Sequence, residues 1–200
     1  AALHVRRPQG RGVRPPAPGR RRDVDRMDPD ERLQHIARDQ GGAFRRSDAL
    51  TAGFTAGEIR GRLRRRQWLS PHRGVYLQAD AVEAASPAED LRLRASAAVL
   101  AHPESLISHH TAAELYGLPI VERRDAEPVH LTRPGHPRTP EYYPGVVVHA
   151  AGRPLGPRWV DRLPLTPPAR TLVDLARWTP PLTGLAAVEQ ALHTGLVEAS

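Results

Sequence analysis

The chain has 200 residues, of which 29 are basic and 22 acidic, for a formal net charge of +7; 40% are hydrophobic but only 4% aromatic. It holds no cysteine, and since every basic residue is arginine it holds no lysine either. Disulfides, thiolate zinc sites, a P-loop, a Schiff-base enzyme and a lysine-dependent nuclease motif are thereby excluded, and a reducing cytoplasm is the expected compartment. No apolar run approaches the roughly 18 residues of a membrane-spanning helix.

The charge is unevenly spread. Residues 1–26 carry eight arginines against Asp23 and Asp25, a net of +6, so only +1 is left for the other 174 residues. This segment is rich in arginine, proline and glycine and lacks periodic apolar residues, which predicts a disordered tail. It also reads as sequence lying upstream of a natural start at Met27. Local clustering of charge, and not its total, therefore bears on a polyanionic partner.

From Asp28, the order Asp-Pro-Asp predicts a capped helix with Leu33, Ile36 and Ala37 on its apolar face and Gly41-Gly42 as its stop. Phe44 is expected as a core anchor. Arg46 to Leu50 reads as a short second helix closed by Gly53. Thr55 and Glu58 have the spacing of a capping box, so a third helix should begin there. Its residues Ile59 and Leu63 share one face, while Arg60, Arg64 and Arg65 fall on the other together with Gly57 and Gly61. Residues 67–70 and 75–77 read as strands around a turn at 71–74. Residues 27–78 thus predict a winged helix-turn-helix. Five of the residues from Arg60 to Arg66 are arginine, with no acid after Glu58 in the helix, and this points to double-stranded DNA.

The remainder, 79–200, is expected to form a small mixed α/β domain, making the fold class α+β. Residues 79–85 read as a connector. Ser86, Pro87 and Glu89 repeat the capping box and open a helix to about Ala101. Leu106 to Tyr116 is expected to be helical, with Ser108 or Thr111 as cap. Strands are predicted at 129–132, 146–149 and 163–165. Thr166 is expected to cap a centrally buried helix in which Arg170 and Asp174 form a structural pair, and a last helix should run from Leu185 to Thr194.

No catalytic residue, cofactor or metal site is expected. His109 and His110 are adjacent and point about 100° apart on a helix, so one ion would not easily take both. His130 and His136 lack an obvious third ligand. Ser108 beside His109 sits in no nucleophile elbow.

The block GGAFRRSDALTAGFTAGEIRGRLRRRQWLSPHRGVYL resembles the winged-helix N-terminal domain of AbiEi-type antitoxins of type IV toxin-antitoxin (abortive infection) systems. The later block, with SHHTAAELYGLP, VHLTRPGHPR, GVVVHAAGRPL and LPLTPPARTLVDLAR, is similar to the middle region of many actinobacterial proteins that carry that domain. The resemblance covers residues 28–198. It implies a transcriptional repressor that binds inverted repeats at its own promoter, with the second domain dimerising or engaging a toxin. On that basis DNA contacts are expected from Arg45, Arg46, Thr55, Gly57, Arg60, Arg62, Arg64, Arg65, Arg66 and Arg73. Many relatives continue into a very-short-patch-repair-like endonuclease domain, so the alternative expectation is the DNA-targeting part of such an enzyme, its catalytic domain lying past Ser200.

Overall fold

The computed structural model describes residues 3–4, 27–121, 127–135, 139–152 and 156–199. The protein is α+β. The expected disorder of the N-terminal tail falls outside the described residues except at Leu3–His4 (β1), which pairs antiparallel with Glu198–Ala199 (β11). His136 is likewise outside them.

The first part of the fold is three helices against a small antiparallel sheet. Helix α1 (Pro29–Asp39) starts at Asp28, whose carboxylate accepts from the Glu31 N–H at 3.0 Å. Strand β2 (Phe44–Arg45) leads into α2 (Arg46–Ala52), which ends at Gly53 with φ of 112°. Glycine takes that left-handed value without a Cβ penalty. Helix α3 (Ala56–Arg64) follows after a three-residue turn, Gly53 to Thr55. Its capping box is complete: the Glu58 N–H donates to Thr55 Oγ1 at 3.2 Å and the Thr55 N–H donates back to Glu58 Oε2 at 2.7 Å. These bonds to the charged form hold the Glu58 carboxyl below its usual range, the Thr55 backbone contributing most.

Strands β3 (Trp68–His72) and β4 (Val75–Gln78) complete the sheet in the order β2-β4-β3. The turn is shorter than expected, because Pro71 and His72 belong to β3, leaving only Arg73 and Gly74 between the strands. Proline is tolerated there because β3 is an edge strand, where a missing N–H need break no ladder bond, and because the register shifts between Leu69 and His72. Both of the chain's phenylalanines, Phe44 and Phe54, pack edge-on against Trp68 at 4.9 and 5.1 Å. With Leu33, Ala49, Ile59 and Tyr76 they form one buried cluster, so scarce aromatic area is concentrated where a small unit most needs it.

The expected connector is partly helical, α4 (Ala79–Glu83). Helix α5 (Pro87–Ala101) then crosses behind the small sheet. Ala97 meets Ala43, Val75 and Leu77 on one side, while Ala95 and Ala98 join the core of a second sheet. Ser96 sits between them: its hydroxyl accepts from the Ala43 N–H at 3.1 Å and donates to the Gln40 carbonyl at 2.5 Å.

The second sheet has six strands in the order β7-β8-β6-β5-β10-β9. They are β5 (Leu106–Ile107), β6 (Val129–Pro134), β7 (Glu141–Tyr143), β8 (Val146–Ala151), β9 (Arg158–Val160) and β10 (Leu163–Leu165). The expected helix at Leu106 to Tyr116 is corrected here. Leu106 pairs with β6 and Ile107 with both β6 and β10, so these two residues are a strand and helix α6 spans only His109–Leu115. Thr166 is not a helix cap either: α7 (Pro168–Trp178) starts from Pro167, and the Thr166 hydroxyl pairs with that of Thr171 at 2.7 Å. Nor is α7 buried all round, since Leu172 and Leu175 are covered while Val173 and Ala176 are exposed. Helix α8 (Pro181–His193) begins four residues earlier than Leu185, with proline in its first turn.

Ser96 links the two parts of the fold through two backbone groups, one donor and one acceptor. Ser96→Ala removes the hydroxyl with almost no change of volume and leaves both groups to find other partners. It is expected to lower unfolding free energy by about 1–3 kcal/mol in urea titrations.

Candidate functional sites, a cationic helix face and a buried histidine cluster

Helix α3 presents the face expected of it. Ile59 is fully buried and Leu63 half-buried, whereas Arg60, Arg64, Arg65 and Arg66 are exposed, as are Thr55 and Gly57. Among the described residues none of these four arginines forms a side-chain ion pair; Arg65 donates from Nε to the Gln67 side chain at 3.3 Å. Arg46 is exposed at the start of α2, Arg45 is half-buried in β2, and Arg73 is exposed at the β3–β4 turn.

Two expectations about this face are corrected. Gly61 is buried and not on the polar surface, because the Arg65 guanidinium folds over it, 3.2 Å from where a Cβ would stand. Arg62, expected to contact DNA, turns inward. It donates to Asp30 on α1 at 2.6 Å, and its guanidinium carbon lies 5.2 Å from the Phe54 ring centre and 5.6 Å from that of Trp68. It ties α3 to α1 across the aromatic core.

Arg66 has a left-handed backbone, φ of 54°, just past the end of α3. Its N–H donates to the Leu63 carbonyl and that of Gln67 to Arg62, the pattern that closes a helix. Glycine is usual at such a position because a Cβ costs roughly 1–2 kcal/mol there.

The second assembly was not anticipated. Along β6 and β8, Val129, Leu131, Val146 and Val148 point into the core shared with Ala95 and Ala98 of α5. The intervening residues His130, Thr132, Val147 and His149 therefore face the other way, toward α6 and α7. The parallel register sets His130 opposite Val147 and Thr132 opposite His149, so the two histidines are diagonal neighbours on one face. Nδ1 of His130 and Nε2 of His149 are 2.9 Å apart.

The segment Ser108 to Thr111 holds His130 from above. The Ser108 N–H donates to the His130 carbonyl and the His130 N–H donates to Thr111 Oγ1, each at 2.9 Å. Between these two clamps His109 stacks on His149, ring centres 3.8 Å apart, and His110 lies 5.3 Å from His130. His109 begins α6 with φ of 51°, another left-handed non-glycine residue. Its Nδ1 meets Ser108 Oγ at 2.9 Å. Trp178, from the end of α7, stands edge-on to the rings of His109, His130 and His149 at 4.8–5.9 Å.

His109, His130 and His149 are all buried, and each offers a ring nitrogen within 4.8 Å of the others. Burial is the main cause holding them neutral, with repulsion from the neighbouring imidazoles next: the pKa values fall to about 2 for His109, about 3 for His130 and about 4 for His149. Nε2 of His130 has no hydrogen-bond partner and faces Glu127 Oε1 at 3.6 Å. The expected Arg170–Asp174 pair is present beside this layer, Nε lying 2.8 Å from both carboxylate oxygens. Burial pushes the Asp174 carboxyl up, and the guanidinium opposes that shift.

His109 and His110 fall into different groupings, which share only His130. Considering that pair alone nevertheless misses the cluster, because the further nitrogens come from two strands distant in sequence. The available signal was a single histidine inside each of two otherwise apolar strands, Val129 to Leu131 and Val146 to His149.

No family model matches the chain, and no curated protein matches it. Among the described residues no helix is long and apolar enough to cross a membrane.

Arg62 is assigned a structural role. Arg62→Ala should lower unfolding free energy by about 1–2 kcal/mol, from the lost cation–π contacts and a solvent-screened ion pair, when measured by chemical denaturation.

Proposed function

We propose that this protein is a DNA-binding transcriptional repressor of the AbiEi antitoxin type, and that residues 27–78 act as a winged helix-turn-helix. The observation that carries this reading is the outer face of α3, where Arg60, Arg64, Arg65 and Arg66 are exposed and free of acidic partners among the described residues. Like charges at this density repel one another, and a polyanion neutralises them. A three-residue turn containing Gly53 joins α2 to α3, as in helix-turn-helix proteins, and a two-residue hairpin carries Arg73 beside it. In this reading Arg60, Arg64 and Arg65 contact base edges or phosphates in the major groove, Arg46 and Arg66 grip the flanking backbone, and Arg73 reaches the adjacent groove. For a protein partner, a toxin or a second copy, the exposed Leu182, Leu185 and Leu192 of α8 offer apolar surface.

The test is binding of residues 27–200 to the DNA upstream of its own gene and to a scrambled duplex at two salt concentrations. Arg60→Ala with Arg64→Ala is expected to weaken specific binding at least about tenfold and to reduce the slope of log K against log salt by about 2. Unchanged affinity and slope in the double variant, with the native fold kept, would sink the reading.

The backbone of Arg66 gives a second, two-signed test. Arg66→Gly should raise unfolding free energy by about 0.5–1 kcal/mol, since it relieves a left-handed arginine, and should weaken DNA binding. A variant that gains stability without losing affinity removes Arg66 from the interface.

A further inference from the structure

We propose that His109, His130 and His149 form a binding site for one divalent late first-row transition ion, with zinc as the expected occupant. This site is independent of the DNA reading and stands whether or not α3 binds DNA.

The donors decide the class of ion. Three imidazole nitrogens suit zinc, cobalt, nickel or copper, whereas calcium and magnesium require oxygen. An ion about 2.1 Å from each nitrogen in tetrahedral geometry needs the nitrogens roughly 3.4 Å apart. That value lies between the closest separation, 2.9 Å, and the 4.8 Å within which all three fall. Three protein ligands leave a fourth position for water or a small exogenous ligand.

The surroundings supply part of what ligating histidines require. Such a residue usually bonds its second ring nitrogen to an oxygen, which fixes the tautomer and the ring plane. One of the three has that partner, with Ser108 Oγ 2.9 Å from His109 Nδ1; Glu127 Oε1 faces His130 Nε2 at 3.6 Å, just beyond hydrogen-bond distance. His130 turns its other nitrogen, Nδ1, to His149. Glu127 and His110 form a second grouping with His130, which is common to both.

Filling space is a poor explanation for the cluster. Leucine or valine in these places would cover the sheet without burying polar ring nitrogens, which is costly unless each is satisfied. Here three such rings are buried together with one hydrogen bond among them, and His109 also bears a left-handed backbone. An ion bound by both rings would displace the proton that a hydrogen bond between His130 and His149 requires.

The experiment uses the full chain, with no histidine tag, loaded with ZnCl2 or CoCl2 and dialysed. The expected result is one zinc per chain by elemental analysis and, with cobalt, the visible ligand-field bands of a tetrahedral nitrogen site. His130→Gln and His149→Gln should lose both signals, while a control with exposed His35→Ala and His193→Ala keeps them. Zinc should also raise the melting temperature of the unaltered protein by on the order of 5 °C or more, a readout that remains should the variants fail to fold. Folded protein that retains neither ion and shows no melting shift would overturn the proposal. So would equal uptake by folded His130→Gln and His149→Gln proteins.

Discussion

The arrangement depends on α5 being thin. Its run Ala95, Ser96, Ala97, Ala98 has almost no side-chain volume, so the backbone of one helix comes close to two sheets at once, Ala97 against the small antiparallel sheet and Ala95 and Ala98 against the large mixed one. Small residues leave little apolar area to bury, and the hydroxyl of Ser96 supplies the directional link that area alone would not. Gly42 serves the same junction: with φ of 109° it lets the chain turn tightly beneath Leu93 of α5, whose Cδ2 lies 2.4 Å from where a Cβ would stand. A helix covered on two sides lacks the one-sided stripe of a surface helix. Its caps, therefore, mark it better than its periodicity does.

What could be read from the sequence follows the same division. Local features were legible: the capping boxes at Thr55 and Ser86, the glycine stop at Gly53, and the apolar strands centred on Leu131 and Val148 all depend on residues close together in the chain. Short strands were less legible: 163–165 was expected and is β10, but the two-residue strands were not. Leu106–Ile107 is two residues long and carries an apolar pattern that a helix would share, and only the pairing of Ile107 with Leu131 and Leu165 makes it a strand. Thr166 misled for a related reason, since its hydroxyl meets that of Thr171 while its N–H donates to the Ile107 carbonyl, a partner far away in sequence.

The candidate interface was legible because a helix face is a local property: the spacing of Ile59, Leu63 and the arginines sets it within about three turns. What the spacing did not reveal is which arginine turns inward. Arg62 differs from its neighbours in having Asp30, Phe54 and Trp68 within reach, all supplied from outside α3. Charge counting thus overstates the free cationic face by one residue and misses a contact that ties α1 to α3.

The histidine cluster is the opposite case, wholly non-local. Its members come from α6, β6 and β8, and their meeting depends on a parallel register that offsets His149 from His130 by two residues, the next position on the same face. A slip of one residue in either strand would turn that strand's histidine into the apolar core on the far side. The clamps from Ser108 and Thr111 to both backbone groups of His130 oppose such a slip. The same segment that locks the register therefore also delivers His109 onto the two strand histidines, which is why a strained backbone at His109 is tolerated: the groups on either side of it are already fixed by the sheet.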